Sequence, residues 1–373
     1  MEIKQTKERR MEKIITSESV NIGHPDKTCD TLADAFLDEA LRQDPNSMMA
    51  VECAIKDDKL FIYGEATTKA NIDYDNIAKE ILKDIGYKNE FKIIKEISIQ
   101  SPDINQAVEK TETCANDQGI VFGYATNETK EYMPLPIIVA HKLMKKYEEY
   151  RRTTDCYFSD AKSEVSVAYD GNTPKEIKIV LISVSHSEKL SYDQIKTDIM
   201  QNVITPVMEE YKDYNKGNVH YLINTSGKFT IWGSFGDSGC VGRKIIVDTY
   251  GGVGKIGGGC FSSKNATKVD RSGAYYARFV AKNIVAHGLA DKCEIQLGFA
   301  IGVARPISMY IDTFGTNKVS EEKIYEFVAK NFDFSVDNII KELDLLKPIY
   351  KNTACYGHFG RSEFSWEQIK NIK

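Results

Sequence analysis

The 373-residue sequence has no apolar run near the roughly 18 residues that a membrane helix needs, so no membrane span is expected. Its 25 Gly and 9 Pro keep no triplet period, which excludes a collagen-like chain. None of its 8 cysteines stands in a CxxC pair, which argues against a disulfide framework and against a cysteine zinc site. No GxxxxGK[ST] string occurs, so a Walker A loop is absent. Positive charge is not in excess: 49 Lys and Arg against 54 Asp and Glu leave a net −5, a poor basis for a nucleic-acid binder. The opening residues MEIKQTKERRMEK lack an apolar stretch, so no secretory signal is expected and the cytoplasm is the default compartment.

What is present is ordinary globular material. Hydrophobic residues make up 42%, and 20 Tyr with 16 Phe supply a sizeable core, which excludes global disorder. The length fits two or three domains, or one large one.

A pattern of helix, hairpin and helix occurs three times. In the first unit Cys29, Leu32, Ala33, Phe36, Leu37, Ala40 and Leu41 repeat at helical spacing after Pro25. Strands are expected near 49–55 and 60–65 about Asp57-Asp58, then a helix near 76–85 that stops at Gly86. The second unit has a helix near 136–150, a hairpin of 164–169 and 176–184 about Asp170-Gly171-Asn172, and a helix near 192–204. The third has a helix near 272–287, strands near 294–302 and 307–314, and a helix near 321–331. The fold class expected is α+β: three similar α+β subdomains with mostly antiparallel sheets and helices on one face.

Two stretches fit no regular element. Residues 101–119 are polar and aperiodic, a length of loop that lids and binding loops use. Residues 251–259 hold six glycines in nine positions, which excludes a stable helix or strand interior. Gly252, Gly254 and Gly257 match GxGxxG, with Lys244–Tyr250 as the preceding strand, but the glycines do not open a helix as a dinucleotide fingerprint requires. A flexible connector is the plain alternative. Against it stands local charge: Arg243, Lys244, Lys255, Lys264, Lys268 and Arg271 oppose only Asp248 and Asp270. Lys264 and Lys268 share a face if their segment is helical. Close glycine backbone with flanking cations suits a polyphosphate.

Gly23-His24-Pro25-Asp26-Lys27 is the second candidate. Proline favours the first helical position, so His24, Asp26 and Lys27 surround a helix N-terminus, where anions and metal–phosphate complexes are stabilised. The alternative leaves Asp26 complementing the dipole and Lys27 in solvent. Glu18, Glu52 and Glu65, taken alone, are solvated strand residues. His141, His186, His220 and His287 lack metal-ligand spacing and are taken as structural, and His358 carries no mechanistic reading. Composition and pattern lead to an α+β protein with a polyphosphate site, and no further.

Longer strings carry a resemblance. Ser17-Glu18-Ser19-Val20, residues 23–27, Asp117-Gln118-Gly119, residues 123–129, residues 242–252, residues 268–272 and Tyr356-Gly357-His358-Phe359-Gly360-Arg361 are similar, in order, to the signatures of the S-adenosylmethionine synthetase (methionine adenosyltransferase) family. The resemblance spans about residues 14–366. It implies synthesis of S-adenosylmethionine from ATP and L-methionine, with the triphosphate then split to pyrophosphate and phosphate. It also implies three subdomains about a pseudo-threefold axis, here 13–111, 114–230 and 232–370 after an extension of 1–12. A homo-oligomer is implied, a dimer of dimers with active sites at the dimer interface, using two Mg²⁺ per site and K⁺, with no nucleic-acid or membrane partner.

Carried onto matching positions, the resemblance puts His24 beside the triphosphate, Asp26 and Asp270 on Mg²⁺ with Glu18 nearby, and Glu52 at the K⁺ site. It assigns Glu65 and Gln100 to the methionine pocket, Gln100 opening a mobile loop of about 100–110. Asp160, Ala161 and Lys162 match an ATP-contacting triplet, and Lys228 and Phe229 the adenosine side, Phe229 stacking on adenine. Asp237 touches both substrates, Arg243, Lys244 and Lys264 are phosphate cations, and Lys268 lies near methionine and phosphate. Cys260 holds a position in the ATP site that is often alanine. Asn21-Ile22, Ser234-Phe235, Ser263 and Asn265 also depart from the usual pattern, and none removes an assigned charge. The rivals are an ATP-dependent kinase or ligase, which releases ADP or AMP, and a non-catalytic nucleotide-binding regulator.

Overall fold

The computed structural model describes residues 12–99 and 112–372. The chain enters on β1 (Lys13–Val20) and turns at His24 into α1 (Pro25–Gln43), where Pro25 supplies the first helical φ without losing a needed N–H. The apolar stripe from Cys29 to Leu41 is buried, as its spacing requires. β2 (Met48–Lys56) and β3 (Lys59–Thr67) form the expected hairpin, α2 (Tyr74–Ile85) stops at Gly86 with φ +118°, and β4 (Lys92–Ser98) runs parallel to β3.

β5 (Gly119–Thr126) leads into α3 (Leu135–Arg151) and the long hairpin β6 (Tyr157–Asp170) and β7 (Thr173–His186). The helix expected over 192–204 is α4 (Tyr192–Ile199), a π-helical turn Met200–Ile204, and α5 (Thr205–Glu210). Pro206 has no N–H for the i−4 carbonyl, and the hydrogen-bond ladder slips by one residue just before it. β8 (His220–Ile223) lies parallel to β7, and the two-residue β9 (Gly239–Cys240) follows. The strand expected over 244–250 is instead a single helical turn, α6 (Ile245–Asp248), because side chains of α1 fix this segment away from any sheet. After it come α7 (Val269–Ala286), β10 (Lys292–Phe299), β11 (Ser308–Asp312), α8 (Glu321–Asn331) and α9 (Val336–Glu342).

The sheets exchange strands in a cycle. β1, from the first third of the chain, pairs with β6 of the second. β5, from the expected subdomain 114–230, pairs with β10 of 232–370, and β9 of 232–370 pairs with β2 of 13–111. The three sheets read β1-β6-β7-β8, β11-β10-β5 and β4-β3-β2-β9, with β3–β4 and β7–β8 the parallel pairs in an otherwise antiparallel set. Gly123 allows α7 to press on β5, since a Cβ there would lie 2.0 Å from the Ala277 carbonyl carbon. This interlocking brings residues 17–34, 160–162 and 237–271 to the same region.

Candidate active site

His24 caps α1. Its Nδ1 accepts the Asp26 N–H at 3.2 Å, which assigns the proton to Nε2. Burial, with Lys244 adding to it, drives its pKa down to about 3, so the imidazole is neutral near pH 7. Asp26 is buried and ties three groups together. Its Oδ1 accepts the Cys240 N–H at 3.0 Å and faces Arg243 Nε at 3.4 Å, and its Oδ2 accepts from Lys244 Nζ at 2.7 Å. Burial opposes its charge, but the Lys244 and Cys240 hydrogen bonds outweigh that and hold the carboxyl below its ordinary range. Glu18 is exposed on β1 and lines a cavity of about 280 Å³ with Arg243 and Lys244.

β6 carries the triplet 160–162 that the resemblance matches to an ATP contact. Lys162 is exposed opposite Val20 of β1, and its charge reaches both His24 and Asp160. The Ala161 carbonyl accepts the Asn21 N–H at 2.9 Å. Asp160 is buried, its Oδ2 accepting the Gly233 N–H at 2.9 Å while its Oδ1 has no partner among the described residues. Burial pushes its pKa up to about 6. Asp237 is exposed and accepts the Ser238 N–H at 2.8 Å. Phe229 is held by His186, whose backbone N–H donates to the Phe229 carbonyl and whose ring Nε2 accepts the Phe229 N–H, and Lys228 reaches Glu188 at 2.6 Å in solvent.

A second group forms beside β2. Ala50 pairs with Glu65 of β3 on one side and bridges Lys264 on the other. Lys264 Nζ donates to Asp270 Oδ2 in the first turn of α7. Gly259 makes room for that carboxylate, because a Cβ there would lie 2.2 Å from Asp270 Cγ. Lys268 is held below its ordinary pKa by burial, with Glu65 opposing the shift. With the Asn116 amide oriented to suit its neighbours, its oxygen accepts from Lys268 Nζ at 3.1 Å. Glu52 accepts from Tyr63 Oη at 3.3 Å, and burial pushes the Cys260 thiol up to about 11, which keeps it un-ionised.

The residues singled out in the sequence therefore fall into two sets. His24, Asp26, Asp160, Lys162, Arg243 and Lys244 form one, and Glu65, Lys264, Lys268 and Asp270 the other. Among the described residues no hydrogen bond or ion pair joins the sets. They meet at backbone, where Gly242, at φ +77°, packs against Cys260. Gln100 lies outside the described residues.

Some expectations change. The glycine run is neither a dinucleotide fingerprint nor a loose connector: a Cβ at Gly251 would strike Ser17 Oγ at 2.3 Å, and one at Gly257 the Ile120 carbonyl at 2.4 Å. Lys264 and Lys268 do not share a helical face, since α7 begins at Val269. Lys27 is neither solvated nor on the surface of the site; it is buried between Asp30 and Asp248. Burial works against its charge, and the two carboxylates outweigh it and keep it an ammonium. Sequence reasoning missed Asp30, Asp34 and Asp248, although the spacing of Asp26, Asp30 and Asp34 was visible.

Among the described residues no three His, Cys, Asp or Glu side chains converge into a metal cage. Magnesium in phosphate sites takes one or two carboxylates and completes its shell with water and phosphate oxygens. Asp26 and Asp270 fit that donor chemistry, each being a lone carboxylate that now faces a lysine ammonium.

Residues 12–133, 112–229 and 231–368 match the N-terminal, central and C-terminal domains of S-adenosylmethionine synthetase. The S-adenosylmethionine synthase of Mesoplasma florum is 47% identical over 375 residues, covering 97% of this chain and 99% of that protein. That of Clostridium botulinum is 45% identical over 387 residues, covering 97% and 98%. No helix among the described residues is long and apolar enough to cross a membrane.

Proposed function

The chain belongs to the S-adenosylmethionine synthetase family, and on that premise we propose how its residues join ATP to L-methionine. It is a methionine adenosyltransferase, forming S-adenosylmethionine. The observation that carries the mechanism is the gathering of Arg243, Lys244 and the neutral His24 imidazole around buried Asp26 in a chain of net charge −5.

A thioether sulfur has no proton to lose, so its attack on C5′ of ATP needs no general base. It needs in-line placement, which can supply about 7–11 kcal/mol. It also needs a stabilised leaving group, because the C5′–O electron pair departs with the triphosphate. Lys162, Arg243 and Lys244 supply fixed charge there, and His24 donates one hydrogen bond from Nε2. Lys264 and Lys268 serve the phosphate and methionine end beside Glu65. Asp160 and Asp237 orient the nucleoside and methionine, and Phe229 stacks on adenine with Lys228 at its edge. Cys260 packs at the ATP pocket as a neutral thiol. Water then splits the triphosphate to pyrophosphate and phosphate.

Asp26 and Asp270, with Glu18 close by, would hold Mg²⁺, which when bound neutralises charge growing on the triphosphate. Glu52 would hold K⁺ through the same hard oxygen chemistry. The site is shared between two subunits, one giving the His24 set and the other the Lys264 set. That no hydrogen bond or ion pair joins the two sets among the described residues of one chain supports this. So do apolar side chains left open on the sheets: Ile14 (50% exposed), Phe61 (45%), Ile120 (54%) and Tyr310 (55%). A dimer of dimers follows the family resemblance, and eight free cysteines suit a reducing cytoplasm.

Incubation with ATP, methionine, Mg²⁺ and K⁺, read by mass spectrometry, tests the activity. S-adenosylmethionine, phosphate and pyrophosphate are expected. ADP or AMP formation would overturn it.

A further inference from the structure

Helix α1 carries aspartates at 26, 30, 34 and 38, a spacing of four that keeps them on one face. All four are buried. Each accepts backbone N–H groups from residues 240–351. Asp26 Oδ1 takes Cys240 N at 3.0 Å and Asp30 Oδ1 takes Gly242 N at 2.9 Å. Asp34 Oδ1 takes Ser263 N at 3.0 Å, and Asp38 takes Tyr350 N at 2.8 Å and Lys351 N at 2.9 Å. Basic side chains fill the remaining oxygens: Lys244 on Asp26, Lys27 on Asp30, and Arg271 in a two-pronged contact with Asp34 at 2.8 Å.

We propose that this aspartate ladder sets the register of the two loops that carry the phosphate cations, with Asp30 and Asp34 as positioning residues. The proposal rests on the reading of Arg243, Lys244 and Lys264 as triphosphate ligands, and goes beyond it to what places them.

The segments 241–244 and 260–264 lie outside the named strands and helices, apart from the single bridge of Lys264 to Ala50. Such backbone still needs partners for its N–H groups once buried. A carboxylate only accepts, and a charge-assisted bond to it is roughly twice as strong as a neutral one. Gly242 immediately precedes Arg243, and Ser263 immediately precedes Lys264. Asp30 and Asp34 therefore fix the backbone one residue ahead of each cation. Lys27 adds a second tie on the first loop by reaching Asp248, beyond Lys244, so that loop is pinned at 240, 242 and 248. The scaffold is a buried helix of 19 residues, rigid enough to hold both loops against one ruler. Asp38 makes the same kind of contact to a segment that bears no assigned cation, and so provides an internal control.

Asp30→Ala, Asp34→Ala and Asp38→Ala are compared for kcat per folded enzyme, for calorimetric binding of inorganic tripolyphosphate, and for Tm. The ladder predicts that Asp30→Ala and Asp34→Ala lose about 10²-fold in kcat and at least tenfold in tripolyphosphate affinity, the scale of a small misplacement of catalytic groups. Asp38→Ala lowers Tm but changes neither. Equal behaviour of all three overturns the proposal. Should an alanine variant not fold, Asp30→Glu with Asp38→Glu as control carries the same test. The charge stays, the anchor moves by one methylene, and affinity falls only at position 30; loss at both positions, or at neither, overturns it. The binding arm needs no turnover. Wild type that binds tripolyphosphate but makes no S-adenosylmethionine therefore refutes the functional reading without touching the ladder.

Discussion

Lys244 sets its ammonium 2.7 Å from Asp26 Oδ2, across 218 positions of sequence. The pair joins the N-terminus of α1 to the loop that carries Arg243, so cation and carboxylate arrive together at the proposed phosphate site. Lys244→Met is expected to lower kcat by about 10²–10³, the scale of losing one preorganised charge donor. Steady-state kinetics at saturating ATP check this, and full activity would remove Lys244 from the leaving-group site.

The division into two sets predicts complementation between chains. Lys162→Ala and Lys264→Ala should each be nearly inactive. Unfolded together and refolded, they should recover activity, because each mixed pair contains one site with both sets intact. Recovery absent after mixing, with mixed oligomers present by native mass spectrometry, would place both sets in one subunit's site.

Gly259→Ala is expected to disturb Asp270 without unfolding the chain. A methyl group 2.2 Å from Asp270 Cγ must push the carboxylate off Lys264, and position 259 lies in a loop. The Mg²⁺ concentration needed for half-maximal activity should rise at least tenfold with little change in Tm. An unchanged Mg²⁺ requirement would contradict the placing of Asp270 on the metal.

Buried His141, with Nδ1 2.8 Å from Ser19 Oγ, gives a pH signature of stability. Burial, with Lys145 adding to it, lowers its pKa to about 3 in the folded chain. The unfolded chain takes up the proton below about 6.5, so this contribution is present above that pH and is lost as pH falls. By pH 5 one such histidine costs about 2 kcal/mol. Denaturant unfolding of His141→Asn should therefore show a shallower loss between pH 7 and 5 than the wild type. Parallel curves would mean that the ring is protonated in the fold.

Much of this was legible in the sequence. The stripe from Cys29 to Leu41 gave α1, Asp170-Gly171-Asn172 gave the β6–β7 turn, and the charged strings gave the basic cluster of 243–271 and residues 23–27, while the other candidate site residues came from the family resemblance. Pairing of distant segments was not legible. Nothing local says that β1 completes the sheet of β6, or that β9, two residues long, completes that of β2, because those contacts are fixed by tertiary packing. The apolar run Ile245–Val247 looks like a strand and is a helical turn, since α1 holds it at Lys244 and Asp248. Lys27 looked like a surface charge because its partner Asp248 lies 221 positions away. The aspartates of α1 show a period of four, but a period alone does not tell a solvated face from a buried ladder.

The central claim is that the bond broken in ATP is the one between C5′ and oxygen, with the three phosphates leaving as a unit. It is tested most directly with ATP carrying ¹⁸O at the bridge between C5′ and the α-phosphorus. Turnover with methionine should place all of the label in pyrophosphate and phosphate and none in the adenosyl product. Label retained on an adenosine-containing product, as ADP, AMP or free adenosine, would show cleavage at phosphorus and contradict the account.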